Sequence, residues 1–266
     1  MTGIHPTSVV DPAANIGAGV SIGPFSVVGA GVVLGDGVVL RSHVVVDGDT
    51  EIGAGTQIFP FASIGLPPQD LKYQGEASRL VIGAGNILRE YVTVNPGTKG
   101  GGLLTSVGDN GLFMIGVHIA HDCTIGNNVI MANNATLAGH VTVEDYAVIG
   151  GLAAVHQFVR IGQHAMIGGL SGIEQDVIPF GSAMGERASL SGLNIIGMKR
   201  RGFDRDNIHS LRAAYKVLFS EEGTLGSRLD DVTKQFSGSE AVAQVLEFVR
   251  ADSTRGLTRP KAENEG

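Results

Sequence analysis

Five of the eight histidines lie between positions 118 and 164: His118, His121, His140, His156 and His164. Imidazole titrates near neutral pH, which suits a general base. It is also the commonest ligand of catalytic zinc, so His118, His121 and His140 form an alternative metal set. Histidines scattered on a solvated face are the plain reading. Further along, Lys199-Arg200-Arg201, with Asn194 before it and Gly202-Phe203 after it, is either a solvated run or a grip for a diphosphate. The planar fork of Arg bonds phosphate oxygens two at a time. Asp70 and Lys72 sit in a polar stretch and are ambiguous by chemistry alone. The single cysteine, Cys123, excludes an internal disulfide and a Cys-type zinc site.

What positions these residues is a six-residue repeat. Every sixth residue from Ile4 to Ile64 is aliphatic, eleven in succession, and the phase returns at Ile82, Leu88 and Val94. After a one-residue shift it restarts at Val107 and holds for twelve apolar anchors to Ile173. A small or β-branched residue often stands four places after the anchor, as at Ala62, Cys123, Ala135 and Ala147. Glycine often follows the anchor directly, as at Gly17, Gly53 and Gly126. One large inward residue, one small inward residue and a turn per hexad describes a parallel β-helix of hexapeptide repeats. Three hexads close a triangular coil, and each coil buries its anchors against its neighbours. A helical period of 3.6 is absent. Handedness does not follow from the period.

Two segments interrupt the count, at 66–80 and 96–106. Both read as loops leaving a coil corner, where a rigid scaffold carries function. Beyond about residue 190 the repeat stops. Three helices are expected, at 207–220, 224–236 and 240–250, then a polar tail from Ala251. The helical piece would cover the open end of the coil, which otherwise exposes a strand edge. The chain thus divides into a β-helix over 1–189 and a helical part over 190–266.

Composition narrows the function. The 266 residues include 40 glycines and carry a net charge of −7, which argues against non-specific nucleic-acid binding. Residues 1–189 hold 7 Lys/Arg and 15 Asp/Glu, whereas 190–266 hold 12 and 11. The cationic residues, among them Arg200, Arg201, Arg205, Arg212 and Lys216, therefore sit in the last third. No run of ~18 apolar residues predicts a membrane span, and the start has no secretory pattern. A cytoplasmic location is expected.

A coil of three hexads turns spacing into geometry, because positions i and i+18 stack. His121 stacks beneath Gly139, Gln157 lies above Gly139, and Asp122 lies beneath His140. His118 and His121 both point outward near one corner. An imidazole under a glycine amide suits acyl transfer, with His121 as general base and the Gly139 N–H meeting an oxyanion. Cys123 falls at an inward small position and is expected to be buried and inert.

The repeat, the segments IAHDCTIGNNVIMANNATLAGHV (119–141), IGGLAAVHQF (149–158) and GMKRRGF (197–203), the loop PPQDLKYQGE (67–76) and the late STRGL (253–257) together resemble one family. It is the UDP-N-acetylglucosamine 3-O-acyltransferase family of lipid A biosynthesis, and the resemblance covers nearly the whole chain. It implies an all-β left-handed parallel β-helix followed by a small α-helical domain. It also implies a homotrimer with active sites between subunits. The implied reaction moves a 3-hydroxyacyl group from acyl carrier protein to the glucosamine 3-hydroxyl, with the carrier thioester as co-substrate and no other cofactor or metal. His121 matches the family's base, Gly139 the oxyanion amide, and Asp122 a residue that orients His121. Asp70, Lys72, His118, His140, Gln157, Asn194 and Arg200 match nucleotide-sugar contacts, with Gln69 and Arg201 as weaker matches. Gly169 matches the position that limits acyl length, with Met166 near it, and implies a chain of about 12–14 carbons.

Two positions depart from the family pattern. Ile196 stands where the family has an acidic sugar contact, which leaves a 3-amino acceptor as an alternative. Pro96 stands in place of Arg. The β-helical zinc-dependent carbonic anhydrases share the scaffold and are the other alternative. Their close histidine pair has four residues between its members, however, and His118-Ile119-Ala120-His121 has two.

Overall fold

A computed structural model describes residues 3–261. From Gly3 to Ile173 the chain winds through short strands, most of two residues, that fall on three faces. Strands of one face pair in parallel with those one coil away, giving sheets of eleven, nine and eight strands. We call these the first, second and third face, and the corners between first and second, second and third, and third and first the first, second and third corners. The pairing joins positions i and i+18, as in Ile4↔Ile22, Ile119↔Leu137 and Ile125↔Val143.

The register also explains the phase shift. Ile52 pairs with Ile82, an interval of 30, and Ile82 with Val107, an interval of 25. The first insertion is a multiple of six and leaves the hexad phase intact, whereas the second adds seven and moves it by one. Both leave the second corner, between Ile64 and Arg79 and between Val94 and Leu104. They are shorter than expected, because Arg79–Ile82 and Leu104–Val107 are already strand.

Inside the coil the anchors interlock. Ile52, Ile58, Ile64, Ile119 and Leu137 are fully buried, as are the small residues Ala62, Cys123, Ala135 and Ala147. Burial pushes the Cys123 thiol up to about 12, and its Sγ bonds to the Ala138 carbonyl at 3.2 Å. This is the inert core residue expected. Corners are made by residues in the left-handed region: Asp122 (φ 59°), His140 (64°) and Phe158 (66°) at the second, and Tyr146 (60°), His164 (57°) and Phe180 (61°) at the third. Each costs conformational energy. The repeated geometry stacks their side chains in columns, for example Phe25, His43, Phe61 and Tyr91, with centroids 5.0–5.1 Å apart.

The end of the coil differs from expectation. The last turn is shorter by two than a regular coil, as the pairs Ile161↔Val177 and Ile167↔Ala183 show. Strand Gly181–Met184 then folds back on Ser189–Leu193 as an antiparallel hairpin, so position 189 falls within a strand. Four helices follow: α1 (Ile195–Arg200), α2 (Arg205–Leu218), α3 (Leu225–Gln235) and α4 (Glu240–Arg250). The last three match expectation within two residues. They begin at side-chain caps, Asp204, Thr224 and Ser239, that satisfy free amides of the first turn. Helix α1 escaped notice because six residues show no period.

Leu211, Leu218, Val242, Val245 and Leu246 gather with Ile178 and Leu193 around one small apolar void, so the helices cover the end of the coil. Residues 251–261 are not a free tail. Leu257 bridges to Asp176, Pro260 bridges to Leu190, and Thr258 is buried. Residues 262–266 of the expected tail lie outside the described residues.

His164 ties the third corner together. Its ring lies flat between Tyr146 (4.9 Å, 4°) and Phe180 (5.2 Å, 10°), with Phe203 edge-on at 5.2 Å. Burial, aided by the Arg201 charge and opposed by Asp145, pushes it down to about 4. The unfolded chain therefore takes up this proton first. The linked stability is complete above the ordinary histidine value of ~6.5 and is lost progressively as pH falls from there toward about 4. His164→Phe keeps the stack and removes the proton. The denaturation midpoint of the variant should fall less than that of the parent between pH ~7.5 and pH ~4.5.

Candidate active site at the second corner

His121 closes the second corner on the coil that follows the two loops and is 7% exposed. Its Nδ1 lies 2.7 Å from Asp122 Oδ2. An ionised carboxylate only accepts, so Nδ1 carries the proton and Nε2 presents its lone pair. The opposite tautomer would leave the Asp122 oxygen without this donor. Asp122 is wholly buried and held from the other side, because the Thr98 N–H donates to Oδ1 (2.8 Å) and the Thr98 hydroxyl to Oδ2 (2.6 Å).

One coil on, Gly139 lies against the imidazole. A Cβ on Gly139 would stand 2.6 Å from His121 Nε2 and closer still to Cε1. Only glycine allows the backbone and this ring to meet so closely. The flanking amides are engaged, Ala138 N–H with Val155 O and His140 N–H with His121 O. Among the described residues the Gly139 N–H has no acceptor.

Around this pair stand the other second-corner groups. The His140 ring meets His121 edge-on at 5.0 Å and stacks flat on Phe158 at 4.4 Å. Burial is the main cause holding His140 below the ordinary histidine value, against the opposing pull of Asp122. His118, on the second face, shares a hydrogen bond with Thr93 Oγ1 (2.7 Å) and is lowered by burial and by His121. The first loop brings Asp70 Oδ2 to 4.0 Å from His121 Nε2. That loop is anchored: Lys72 N–H donates to Asp70 Oδ1, Asn95 Nδ2 to Leu66 O, and Lys99 N–H to Glu76 Oε1. Gln69 and Lys72 are exposed on it, and Gln157 is exposed on the coil above, its carbonyl bonded by Arg255 Nε (2.7 Å).

The structure thus gathers Gln69, Asp70, Lys72, His118, His121, Asp122, Gly139, His140 and Gln157 at one corner. It does not bring the rest there. Asn194, Arg200 and Arg201 lie at the third corner. Asn194 caps α1 through Gly197 N–H and donates to His164 O. Arg201 donates to Tyr146 O (2.7 Å) and lies over that ring, so its guanidinium already serves the fold, whereas Arg200 is exposed. Gly169 lies at the first corner and Met166 on the first face.

As for a metal, His121, Asp122 and His140 offer ligand atoms within 4.8 Å of one another. His118 is not among them. Asp122 already receives three donors, which is a poor start for a ligand. Thr98, Thr105, Thr93 and Phe158 are the site residues that sequence reasoning missed. Thr93 was within reach, because the coil lengthened by seven sets it against His118. Nothing in the repeat places Thr98, which stands in a loop.

A parallel β-helix that sets a carboxylate-held histidine against a glycine amide defines the class of hexapeptide-repeat acyltransferases. Residues 13–48 and 105–139 match the bacterial transferase hexapeptide family. Residues 176–258 match the second domain of UDP-N-acetylglucosamine O-acyltransferase. An acyl-[acyl-carrier-protein]–UDP-N-acetylglucosamine O-acyltransferase of Caulobacter vibrioides is 50% identical over 98% of this chain and 99% of its own. One from Rickettsia rickettsii is 57% identical over 96% and 97%. Among solved structures, a UDP-N-acetylglucosamine O-acyltransferase from Moraxella catarrhalis superposes with a TM-score of 0.94 at 41% identity, covering 97% of this chain and all of that one. One from Acinetobacter baumannii gives 0.91 at 41%, covering 96% and 99%. The chain belongs to the UDP-N-acetylglucosamine O-acyltransferase family, and its fold is the left-handed parallel β-helix with a small helical domain.

The contact between Gly139 and His121 is directly testable. In Gly139→Ala the new methyl collides with the ring, so a crystal structure should show the imidazole displaced and its bond to Asp122 lengthened, with the coil unchanged. An undisturbed ring would mean that the corner yields instead.

Proposed function

We propose that the protein transfers a 3-hydroxyacyl group from acyl carrier protein to the glucosamine 3-position of UDP-N-acetylglucosamine, the first step of lipid A biosynthesis, in the cytoplasm. Among the described residues no helix is long and apolar enough to cross a membrane. The observation that carries the reading is the arrangement at His121: Nδ1 fixed by Asp122, Nε2 packed against Gly139, whose N–H has no acceptor among the described residues.

The chemistry follows from that arrangement. His121 Nε2 removes the proton from the sugar 3-hydroxyl as its oxygen bonds to the thioester carbonyl carbon. The carbonyl electron pair moves to oxygen, where the Gly139 N–H meets it. Collapse restores the carbonyl and breaks the C–S bond, and the departing thiolate takes the proton from Nε2. Asp122 stabilises the imidazolium between these steps. No metal or covalent intermediate is required, so a chelator should leave the rate unchanged. His121→Ala should lower turnover ~10²–10⁴-fold, the usual range for a lost general base. Near-full activity in that variant would remove His121 from the role.

Within one chain the expected substrate contacts stand at separate corners. A convex triangular prism cannot bring Arg200 and Asn194 to its own His121. A homotrimer resolves this by setting one subunit's third corner against its neighbour's second corner, and we assign the nucleotide-sugar cleft to that junction. Mixed assemblies of His121→Ala and Arg200→Ala chains should regain activity that neither variant has alone. Absence of recovery in assemblies verified as mixed would place all groups of one site in one subunit.

For the acyl donor, the exposed Arg200, Arg205, Arg212 and Lys216 fit an acidic carrier protein, and binding should weaken with salt. The family resemblance at Gly169 carries the expectation of a chain of about 12–14 carbons. Ile196, 67% exposed, supplies no acceptor for a sugar hydroxyl, which favours testing a second acceptor. The deciding assay offers UDP-N-acetylglucosamine and its 3-amino analogue with 3-hydroxyacyl carrier proteins of graded length, and reads product by mass spectrometry. Product on the hydroxyl acceptor is expected. Product on the amine alone would correct the acceptor, and none from folded protein would overturn the reading.

A further inference from the structure

The second inserted loop has no role in the reaction as derived above, yet it ends on the group that orients the base. Thr98 is 4% exposed. It makes two bonds to one carboxylate, N–H to Oδ1 at 2.8 Å and hydroxyl to Oδ2 at 2.6 Å. The loop is shaped around that carboxylate. Gly101 passes so close that a Cβ there would overlap the Asp122 side chain, and at the loop's neck a Cβ on Gly97 would overlap Leu104. From the coil beneath, Thr105 Oγ1 accepts the Asp122 N–H at 2.7 Å. Asp122 itself sits at φ 59°. An aspartate in this corner conformation can turn its carboxylate several ways, and two coil histidines compete for Oδ2, His121 Nδ1 at 2.7 Å and His140 Nδ1 at 3.8 Å. Thr98 selects the first, because its two donors fix the carboxylate plane and leave the remaining direction of Oδ2 for that imidazole.

We propose that Thr98 is a positioning residue for the transfer reaction, acting through Asp122 to hold His121 in the tautomer that bares Nε2. The proposal rests on the reading of His121 as the base. It gives the second insertion a function, since a coil without the insertion would have no group at this place. It also predicts that Thr98 affects the chemical step and not the binding of either substrate, because Thr98 is buried and both its side-chain hydroxyl and its N–H are spent on Asp122.

The test uses the full chain and four variants. Thr98→Val removes the hydroxyl while keeping the shape and the backbone N–H. Thr98→Ser restores the hydroxyl. Asp122→Asn, alone and combined with Thr98→Val, asks whether the two residues act as one. Thr98→Val should lose about tenfold in kcat, the size of a lost bond to a charged group, with KM unchanged. Thr98→Ser should return to within about twofold of the parent. In the Asp122→Asn background Thr98→Val should cost nothing further. Independently of turnover, ¹⁵N spectra of the His121 ring should show the Nδ1–H form in the parent and a tautomer mixture in Thr98→Val. Should valine destabilise the fold, Thr98→Ala carries the same comparison without its bulk.

A parent-like kcat and ring spectrum in Thr98→Val would overturn the proposal. So would a loss confined to KM, or a loss of equal size in the Asp122→Asn background. If the parent is active and His121→Ala is not, these outcomes concern Thr98 alone. If His121→Ala is as active as the parent, the underlying reading has failed instead.

Discussion

The rise between adjacent coils is the constraint on which the site depends. Parallel strands pair at a nearly constant spacing of ~4.8 Å. In this chain the pairing recurs every three hexads. Whatever stands at one corner is therefore delivered, one strand spacing away, against whatever stands three hexads further along the chain. His121 meets Gly139 for this reason alone, and His140 meets Phe158 for the same reason. No flexible side chain has to search for its partner. The anchors make this rigid, since a slip of one residue would turn every buried Ile and Leu outward. The geometry at His121 is inherited from core packing, which is why buried residues such as Ile119 and Leu137 matter to a corner they never touch.

The stack also has a limit. A repeating coil can place residues at corners and on faces, but its surface is convex, and stacking alone cannot surround a group. The two insertions supply what the repeat lacks. Both leave the second corner, and they are bonded to each other through Asn95 and Glu76. One carries Asp70 to the open side of His121 and the other carries Thr98 to its buried side. His121 is thus held between an element of the repeat and two departures from it. The left-handed corner conformation adds to this division of labour: it fixes where Asp122 starts, and the loop fixes where its carboxylate ends.

How far the sequence could be read follows the same line. The coil, its period, the buried Cys123 and the contact of His121 with Gly139 were legible because they depend on a fixed interval. The two lengthened coils were half legible: the interruptions were visible, but their common corner was not, since that requires knowing which strand pairs across each loop. Thr93 against His118 could have been found by adding the second insertion to the coil. Thr98 could not, because its place comes from the path of a loop closing around a carboxylate. The hairpin Gly181–Met184/Ser189–Leu193 and helix α1 were missed because neither is long enough to show a period. The strap 251–261 reads in sequence only as a polar tail, because its contacts are backbone bridges to Asp176 and Leu190, which polar composition conceals.

The same geometry accounts for the split among the expected substrate contacts. A prism with three corners per coil separates His121 from Asn194 and Arg200 as firmly as it joins His121 to Gly139. The third corner is also built to stay where it is: Asn194 caps α1 and bonds His164, and Arg201 is fixed on Tyr146. Neither loop leaves from that corner, so the chain has no means of carrying Arg200 around to its own base. A scaffold of this kind gains a cleft by setting prisms side by side. The proposed homotrimer is one such arrangement, in which each protomer offers one corner and receives another in an identical junction. The helical part covers the end of the last coil and also reaches along the third face, where Arg160 bonds Phe248 O and lies over its ring. In the proposed homotrimer, the rigid interval that builds half of the site within one chain leaves the other half to a neighbour.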